Sequence, residues 1–292
     1  CNIVDPEESF MATLSTLIAS LNRAAMMTQI PDDFNKNLLE LIKLFTVVFL
    51  KNINIKTLVD IFEFKVDEKM VIEHLLTAYI NFICVTANEE ILRSFLILIS
   101  ANLTTQTRYF HLFLMQQLPF EHLSSLFESL IGLTCSFTYK SVGFIGSVPI
   151  FSAKSRLASQ ILTTLFLNKQ SGIFHVLQRS DDLKSFALFI KFQSQIFQNS
   201  FPQHVNSNDL TILTTLSYSF SNFYSNYRRF VLSKLDNEEF LLSICKVMYQ
   251  LMRKNKMAAG VVSLNLYFLS EILLSLSEDS TFLKQICDTV KN

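Results

Sequence analysis

Apolar residues recur at three- and four-residue spacing along nearly the whole chain, and this periodicity is what most constrains its fold. Such spacing places apolar side chains on one face of an α-helix. Strict alternation of apolar and polar residues, which indicates a β-strand, is almost absent. The chain is therefore predicted to be all-α. The predicted helices span residues 7–29, 33–51, 55–64, 67–86, 88–101, 104–117, 120–137, 155–168, 170–178, 181–198, 208–234, 237–254, 257–277 and 279–290.

Residues that cap helix N-termini support several of these boundaries. Asp33, Asp67 and Asn88 lie at the predicted starts of the second, fourth and fifth helices. Their side-chain oxygens can accept hydrogen bonds from backbone amides that have no partner within the helix. The acidic pairs at 32–33, 89–90 and 181–182 have the same explanation, so we assign them no catalytic role.

Composition and spacing together favour stacked helical pairs. Only five glycines and five prolines occur among 292 residues, which argues against a turn-rich β-sandwich or barrel. The predicted helix 33–51 is apolar nearly all round, as expected of a helix covered on two sides. Successive apolar segments begin at intervals of about 30–37 residues, close to HEAT and armadillo repeats. We expect one domain over 1–292, a right-handed α-solenoid of HEAT/armadillo-like helical hairpins with about 12–14 helices.

Two segments interrupt the helical pattern. Residues 138–153, TYKSVGFIGSVPIFSA, contain two of the five glycines and a proline, and residues 199–209 form a polar stretch around Pro202. A joint between subdomains is expected at 138–154 or at 199–208, if there is one. The first segment is predicted to be a loop and is unusually apolar, with Phe144 and Ile145 at its centre. It either folds back over the helices or inserts into a partner.

Charge and cysteine usage restrict the environment of the protein. The 25 acidic and 25 basic residues cancel, so no net charge attracts nucleic acid or an anionic membrane. The five cysteines are odd in number and far apart, which favours a reducing compartment, cytoplasmic or nuclear. No apolar run reaches the ~18 residues of a transmembrane helix. Because the chain begins at Cys1, we expect it to be part of a longer protein.

Sequence motifs for chemistry are missing. The chain contains no GxGxxG, GxxxxGK[ST], GxSxG, HExxH, CxxC or DDxxD pattern. We therefore predict no enzymatic activity, no cofactor and no metal site. Cys84, Cys135, Cys245 and Cys287 lie within apolar helical stretches and are predicted to be buried structural thiols.

The remaining candidates for function are surface residues that could bind a partner. An aromatic run with Tyr218, Tyr224 and Tyr227 precedes Arg228 and Arg229, and tyrosine beside arginine is typical of interface anchors. The same run could instead be a core stripe with hydroxyl groups at its edge. Basic residues follow, and an acidic peptide or a phosphate could dock on them, although they could also be ordinary solvated helix ends. These basic residues are Lys246, Arg253, Lys254 and Lys256.

We hypothesise a non-catalytic helical-repeat scaffold or adaptor that binds protein segments within a larger complex. Stacked helical pairs present an extended concave face on which a peptide or helix can lie in a groove. The alternative is a nucleic-acid or chromosome-associated scaffold that uses the basic C-terminal third of the chain. Binding that falls steeply with salt would favour the alternative, and no binding at low salt would exclude it.

Overall fold

The computed structural model describes residues 6–51, 61–104, 118–141, 147–166, 187–193, 207–223, 225–234, 237–255, 264–280 and 282–284. These residues are mostly helical, which confirms the all-α prediction. The chain divides into two compact units, one of residues 1–129 with 170–176 and one of residues 130–169 with 177–292. Both joints predicted from the sequence fall within the second unit.

In the described part of the first unit, four helices whose bounds are known and a short hairpin precede a further helix that continues past residue 129, and residues 61–63 are also helical. The helices are α1 (Pro6–Ala25), α2 (Asp32–Lys51), α3 (Val71–Val85), α4 (Glu89–Thr104) and α5 (Phe120–Thr134), and the hairpin strands are β1 (Lys65–Val66) and β2 (Lys69–Met70). Helix α1 packs on α2 and α3, and α4 packs on α2 and α3. The predicted cap at Asn88 is confirmed, because its Oδ1 accepts a hydrogen bond from the Glu90 amide at 3.0 Å.

The predicted helix start at residue 67 is wrong. Residues 65–70 form an antiparallel hairpin in which Lys65 pairs with Met70 and Val66 with Lys69. The two residues between the strands, Asp67 and Glu68, have φ angles of 49° and 68°. Two successive positive φ angles suit the tight turn of a two-residue hairpin and cannot continue a right-handed helix. Helix α3 therefore begins at Val71.

A hydroxyl network joins three helices of the first unit. The Ser94 hydroxyl of α4 lies 2.7 Å from the Tyr79 hydroxyl of α3 and 2.8 Å from the Thr46 hydroxyl of α2. Tyr79 is fully buried, and this burial raises the pKa of its phenol well above the usual range. The neutral Tyr79 hydroxyl therefore depends on Ser94 for its hydrogen bond.

The described part of the second unit contains a longer hairpin and five helices whose bounds are given below. The strands are β3 (Phe137–Ser141) and β4 (Ser147–Phe151), and the helices are α6 (Ala153–Phe166), α7 (Ser207–Phe223), α8 (Ser225–Lys234), α9 (Asn237–Asn255) and α10 (Leu264–Ser277). A further helical segment covers 187–193. Helix α7 packs on α6, α8 and α10, and α9 packs on α10. The predicted helix 208–234 corresponds to α7 and α8, which lie on either side of residue 224, outside the described residues.

The predicted loop at 138–153 is largely a β-hairpin. Strand β3 pairs with β4 in antiparallel register from Phe137 opposite Phe151 to Ser141 opposite Ser147. Phe151 is buried, and its ring meets that of Phe192 edge-on at 5.4 Å between centroids. Of the two interpretations of this segment, folding back over the helices therefore holds for Phe151.

A salt bridge joins α6 to α7. Arg156 donates from Nε to Asp209 Oδ1 at 2.6 Å and from Nη2 to Oδ2 at 3.1 Å. The Asp209 side chain is buried, whereas that of Arg156 is partly exposed. Hydrogen bonding to Asp209 raises the pKa of the Arg156 guanidinium. This two-point contact fixes the orientation of α7 against α6 more specifically than apolar packing alone.

We expect Ser94→Ala to lower the free energy of unfolding by about 1–3 kcal/mol, because the buried Tyr79 hydroxyl loses its partner. The double variant Tyr79→Phe/Ser94→Ala should cost less than the sum of the two single variants, since no tyrosine hydroxyl is then left unpaired. Urea titration followed by circular dichroism measures each cost. Costs that simply add would contradict the coupling between the two side chains.

Candidate partner-binding surfaces

The structure describes some of the predicted partner-binding residues and not others. Phe144, Ile145, Tyr224 and Lys256 lie outside the described residues, and of Lys254 only the helical backbone is described. The predictions for these five residues remain predictions. The residues whose side chains can be placed are Tyr218, Tyr227, Arg228, Arg229, Lys246 and Arg253.

Tyr227 belongs to the core of the second unit and not to its surface. The side chain is 1 % exposed, and its hydroxyl donates to Gln193 Oε1 at 2.9 Å. Its ring centroid lies 5.1 Å from that of Phe220 and 6.2 Å from that of Phe189. Of the two interpretations of the aromatic run, the core stripe therefore applies to Tyr227 and Phe220.

Arg228 is held by neighbours on the chain's own surface. Its Nη1 donates to Glu278 Oε2 at 2.9 Å and to Ser275 Oγ at 3.2 Å. Ser275 in turn donates to the Ser221 carbonyl oxygen at 3.1 Å. Part of the charge of Arg228 is therefore neutralised within the unit, whereas the neighbouring Arg229 is exposed.

Helix α9 has an apolar face on each side. Its inner face is buried and consists of Phe240, Ile244, Val247 and Leu251. Its other face carries Leu242, Tyr249 and Met252, which are 62 %, 63 % and 47 % exposed. The exposed Lys246 and Arg253 lie at helical spacing along the same face. We call these five residues, Leu242, Lys246, Tyr249, Met252 and Arg253, the α9 outer stripe.

The two basic residues of the α9 outer stripe were predicted as partner-binding residues from the sequence, whereas its apolar residues were not. The apolar positions of α9 occur at two sets of three- and four-residue spacings, and only one set can face the core. An apolar residue count cannot tell which set is buried, since both look alike in sequence. The exposed set becomes recognisable only when the packing partner of α9 is known.

Tyr218 lies in an aromatic cluster at the junction of α7 and α10. Its ring centroid is 4.9 Å from that of Phe268 and 6.5 Å from that of Tyr267, and the last two are 5.8 Å apart. Tyr267 is 49 % exposed. The Glu271 carboxylate, one helical turn away, raises the pKa of the Tyr267 phenol. This cluster offers aromatic faces and a negative charge together.

The first unit has a groove of about 440 Å³. Asn22 near the end of α1, Cys84 of α3 and His122 of α5 line it together with apolar side chains such as Met26. Partial desolvation raises the pKa of the Cys84 thiol, the Glu128 carboxylate raises it further, and a hydrogen bond with Ser129 lowers it. The net effect disfavours the thiolate, so Cys84 is not activated as a nucleophile.

The prediction of buried cysteines is wrong for two of them. Cys84 and Cys245 are exposed, whereas Cys135 is partly buried, and none of the three forms a disulfide. Cys245 is exposed because it lies on the outer face of α9 between Leu242 and Tyr249. Burial raises the pKa of the Cys135 thiol to about 12. Cys287 lies outside the described residues.

Within the described ranges, no three His, Cys, Asp or Glu side chains come together in a way that could hold a metal ion. None of the described helices combines the length and the apolar character that a membrane crossing requires. Compared with known proteins, the chain matches no family model, no curated protein and no solved structure. The surfaces described above are therefore the basis of the functional argument.

We expect Cys135 to react with iodoacetamide at least a hundredfold more slowly in the folded chain than in the unfolded chain at pH 8. With a pKa of about 12, only ~0.01 % of this thiol is thiolate at that pH. Its rate should still rise about tenfold per pH unit up to pH 10, because that range lies well below its pKa. Mass spectrometry of the alkylated peptides measures the rate, with the urea-unfolded chain as control. Equal rates in both states would contradict the burial of the thiol.

Proposed function

We propose that the chain is a non-catalytic helical scaffold or adaptor that binds a protein segment inside cells, as a subunit of a larger complex. The observation that carries the proposal is the α9 outer stripe, in which three large apolar side chains are exposed on the same helical face as two cations. Exposed apolar residues gathered on one helical face are typical of protein interaction sites. The free thiols of Cys84, Cys135 and Cys245 support a reducing compartment, cytoplasmic or nuclear.

Helix packing in the first unit supports a HEAT- or armadillo-like repeat. If α1 and α2 form one pair and α3 and α4 the next, then α1 packs on α3 and α2 packs on α4. Contacts between the equivalent helices of successive pairs are what stacked helical hairpins produce. We propose that the chain is built from such pairs and that the outer face of α9 serves as a binding face.

The chemistry of the α9 outer stripe indicates an acidic amphipathic helix as the partner. Because Leu242, Tyr249 and Met252 are already partly buried, each would gain about half of the roughly 1.5–3 kcal/mol that burying a fully exposed large apolar side chain contributes. Lys246 and Arg253 would meet carboxylates at the edge of that face and so select the partner's charge. When one helix binds along another in this way, the contacts are made by anchor side chains at three- and four-residue spacing.

Affinity capture tests the proposal. The triple variant Leu242→Ser/Tyr249→Ser/Met252→Ser should lose at least nine-tenths of a partner that the wild-type chain retains from a native extract. The three substituted side chains are exposed and contribute little to the core, so circular dichroism should show unchanged helicity. The charge variant Lys246→Glu/Arg253→Glu should weaken the purified complex by tenfold or more.

A matched variant on another surface controls for a general loss of apolar exposure. Leu44, Val47 and Phe64 are also exposed apolar residues, and they lie in the first unit. The variant Leu44→Ser/Val47→Ser/Phe64→Ser should keep the partner. A partner retained equally by the wild-type chain and the α9 triple variant would contradict the proposed surface.

The nucleic-acid alternative has less support on the described surface. Arg228 is engaged by Glu278. Lys246 and Arg253 alternate with apolar side chains that a phosphate backbone would leave uncovered. Binding of single- or double-stranded nucleic acid at low salt, with a steep decrease as salt rises, would favour the alternative over the adaptor.

A further inference from the structure

A second exposed stripe runs along α10. Leu264, Tyr267 and Leu274 are exposed, and Glu271 lies between the last two at helical spacing. The buried side of the same helix carries Leu269, Ile272 and Leu276 together with the polar Asn265 and Ser275. Asn265 is satisfied there, because its Oδ1 accepts from Thr214 at 2.8 Å. Helix α10 therefore exposes as many of these large apolar side chains as it buries.

Three aromatic rings and a carboxylate form the centre of this stripe. We call Tyr218, Tyr267, Phe268 and Glu271 the α10 platform. The ring centroids lie 4.9–6.5 Å apart with interplanar angles of 34–56°, so the rings touch one another. Rings in contact leave no gap between them for a ligand, and an occupant would lie on their outer faces. The large exposed fraction of Tyr267 makes its ring the accessible part.

The one charged side chain of the α10 platform is the acidic Glu271. Aromatic faces carry negative partial charge, and Glu271 adds a full charge beside them. Neither α7 nor α10 contains a lysine or an arginine. In the ranges that the structure describes, no cation pairs with Glu271 or lies over the Tyr267 ring. The same chain elsewhere places Arg23 over the Phe34 ring, at 5.5 Å from the centroid.

We infer that the α10 platform docks a basic helical segment of a partner protein, with an arginine or lysine side chain lying on Tyr267 and pairing with Glu271. A cation over an aromatic face is attracted by the ring's quadrupole, and a neighbouring carboxylate strengthens the attraction. The platform is distinct from the α9 outer stripe, where the cations are on this chain. The inference concerns different residues from the proposed function and is therefore tested separately.

The flanking leucines define the shape of the segment. Leu264 and Leu274 are ten residues apart, which corresponds to about 15 Å along the helix. A partner helix that covers both would present two apolar side chains about 15 Å apart, with the basic residue between them. The expected pattern, all on one helical face, is an apolar residue, a lysine or arginine four or seven positions later, and a second apolar residue about eleven positions after the first.

A subtractive peptide selection tests the inference. Displayed random 16-residue peptides are selected on the wild-type chain and depleted on the variant Tyr267→Ser/Glu271→Gln, whose changes are on the surface. Circular dichroism confirms that the variant keeps its helices. Peptides that survive should contain a lysine or arginine between two apolar residues. They should bind the variant at least tenfold more weakly in fluorescence anisotropy, and should bind Tyr249→Ser as well as the wild-type chain.

Exchanging the charges of the peptide residue and of Glu271 distinguishes a specific ion pair from non-specific apolar binding. Replacing the central basic residue of a selected peptide with glutamine should weaken binding about tenfold. A peptide with glutamate at that position should bind Glu271→Lys better than it binds the wild-type chain. A coupling of this kind, measured as a double-mutant cycle, assigns the contact to that pair of residues.

Three results would overturn the inference. The first is that no peptide survives the depletion step. The second is that surviving peptides lack a basic residue or bind equally after charge exchange. The third is that sedimentation shows a dimer of the wild-type chain that Glu271→Lys dissociates, which would assign the α10 platform to a second copy.

Discussion

Helix α9 carries more apolar surface than the core of the second unit covers, and its functional role depends on what covers the rest. Phe240, Ile244 and Val247 fill the inner side, while Leu242 and Tyr249 stand in solvent on the other. Exposed apolar area costs roughly 25 cal/mol for each Å². A helix that is apolar on two sides is normally covered on two sides. The second cover of α9 is therefore expected to come from another chain, and this expectation is the physical core of the adaptor proposal.

Specific polar contacts favour particular helix pairings within each unit. Apolar packing in a chain that is half apolar would tolerate several pairings. The Thr46, Ser94 and Tyr79 hydroxyls connect α2, α3 and α4, and the buried Tyr79 hydroxyl would lose its Ser94 partner if α3 and α4 were separated. In the second unit, the two-point contact of Arg156 with Asp209 performs the same role for α6 and α7. These contacts favour the pairing that the structure shows for α2, α3 and α4, and for α6 and α7.

The helices were predictable because their signals are local. The period of apolar residues and the cap at Asn88 depend only on nearby residues, and both agree with the structure. The hairpin at 65–70 was missed because its turn uses Asp67 and Glu68 at positive φ, without the glycine that usually marks such a turn. The hairpin at 137–151 was missed because pairing between strands is not local, and an apolar strand with glycines nearby resembles a loop in sequence.

The surfaces were less predictable, because burial depends on neighbours that are distant in sequence. Tyr227 and Tyr218 belong to one aromatic run, yet Gln193 and Phe189 enclose the first while the second lies near exposed Tyr267. Similarly, Cys245 lies in an apolar stretch and is exposed, because that part of α9 faces outward. Charge was more informative, since lysine and arginine rarely enter a core and so indicated the surface of α9 correctly.

Photo-cross-linking from position 249 tests the central claim most directly. A photoreactive phenylalanine analogue replaces Tyr249 at the middle of the α9 outer stripe, and a second chain carries it at position 44 on α2 as control. Position 249 is expected to cross-link in cells to a protein segment that is acidic and that forms an amphipathic helix, and position 44 is expected not to do so. Two results would contradict the claim that α9 is covered by a partner. Either the probe at position 249 reacts only with water and cross-links to no protein, or both positions give the same cross-links.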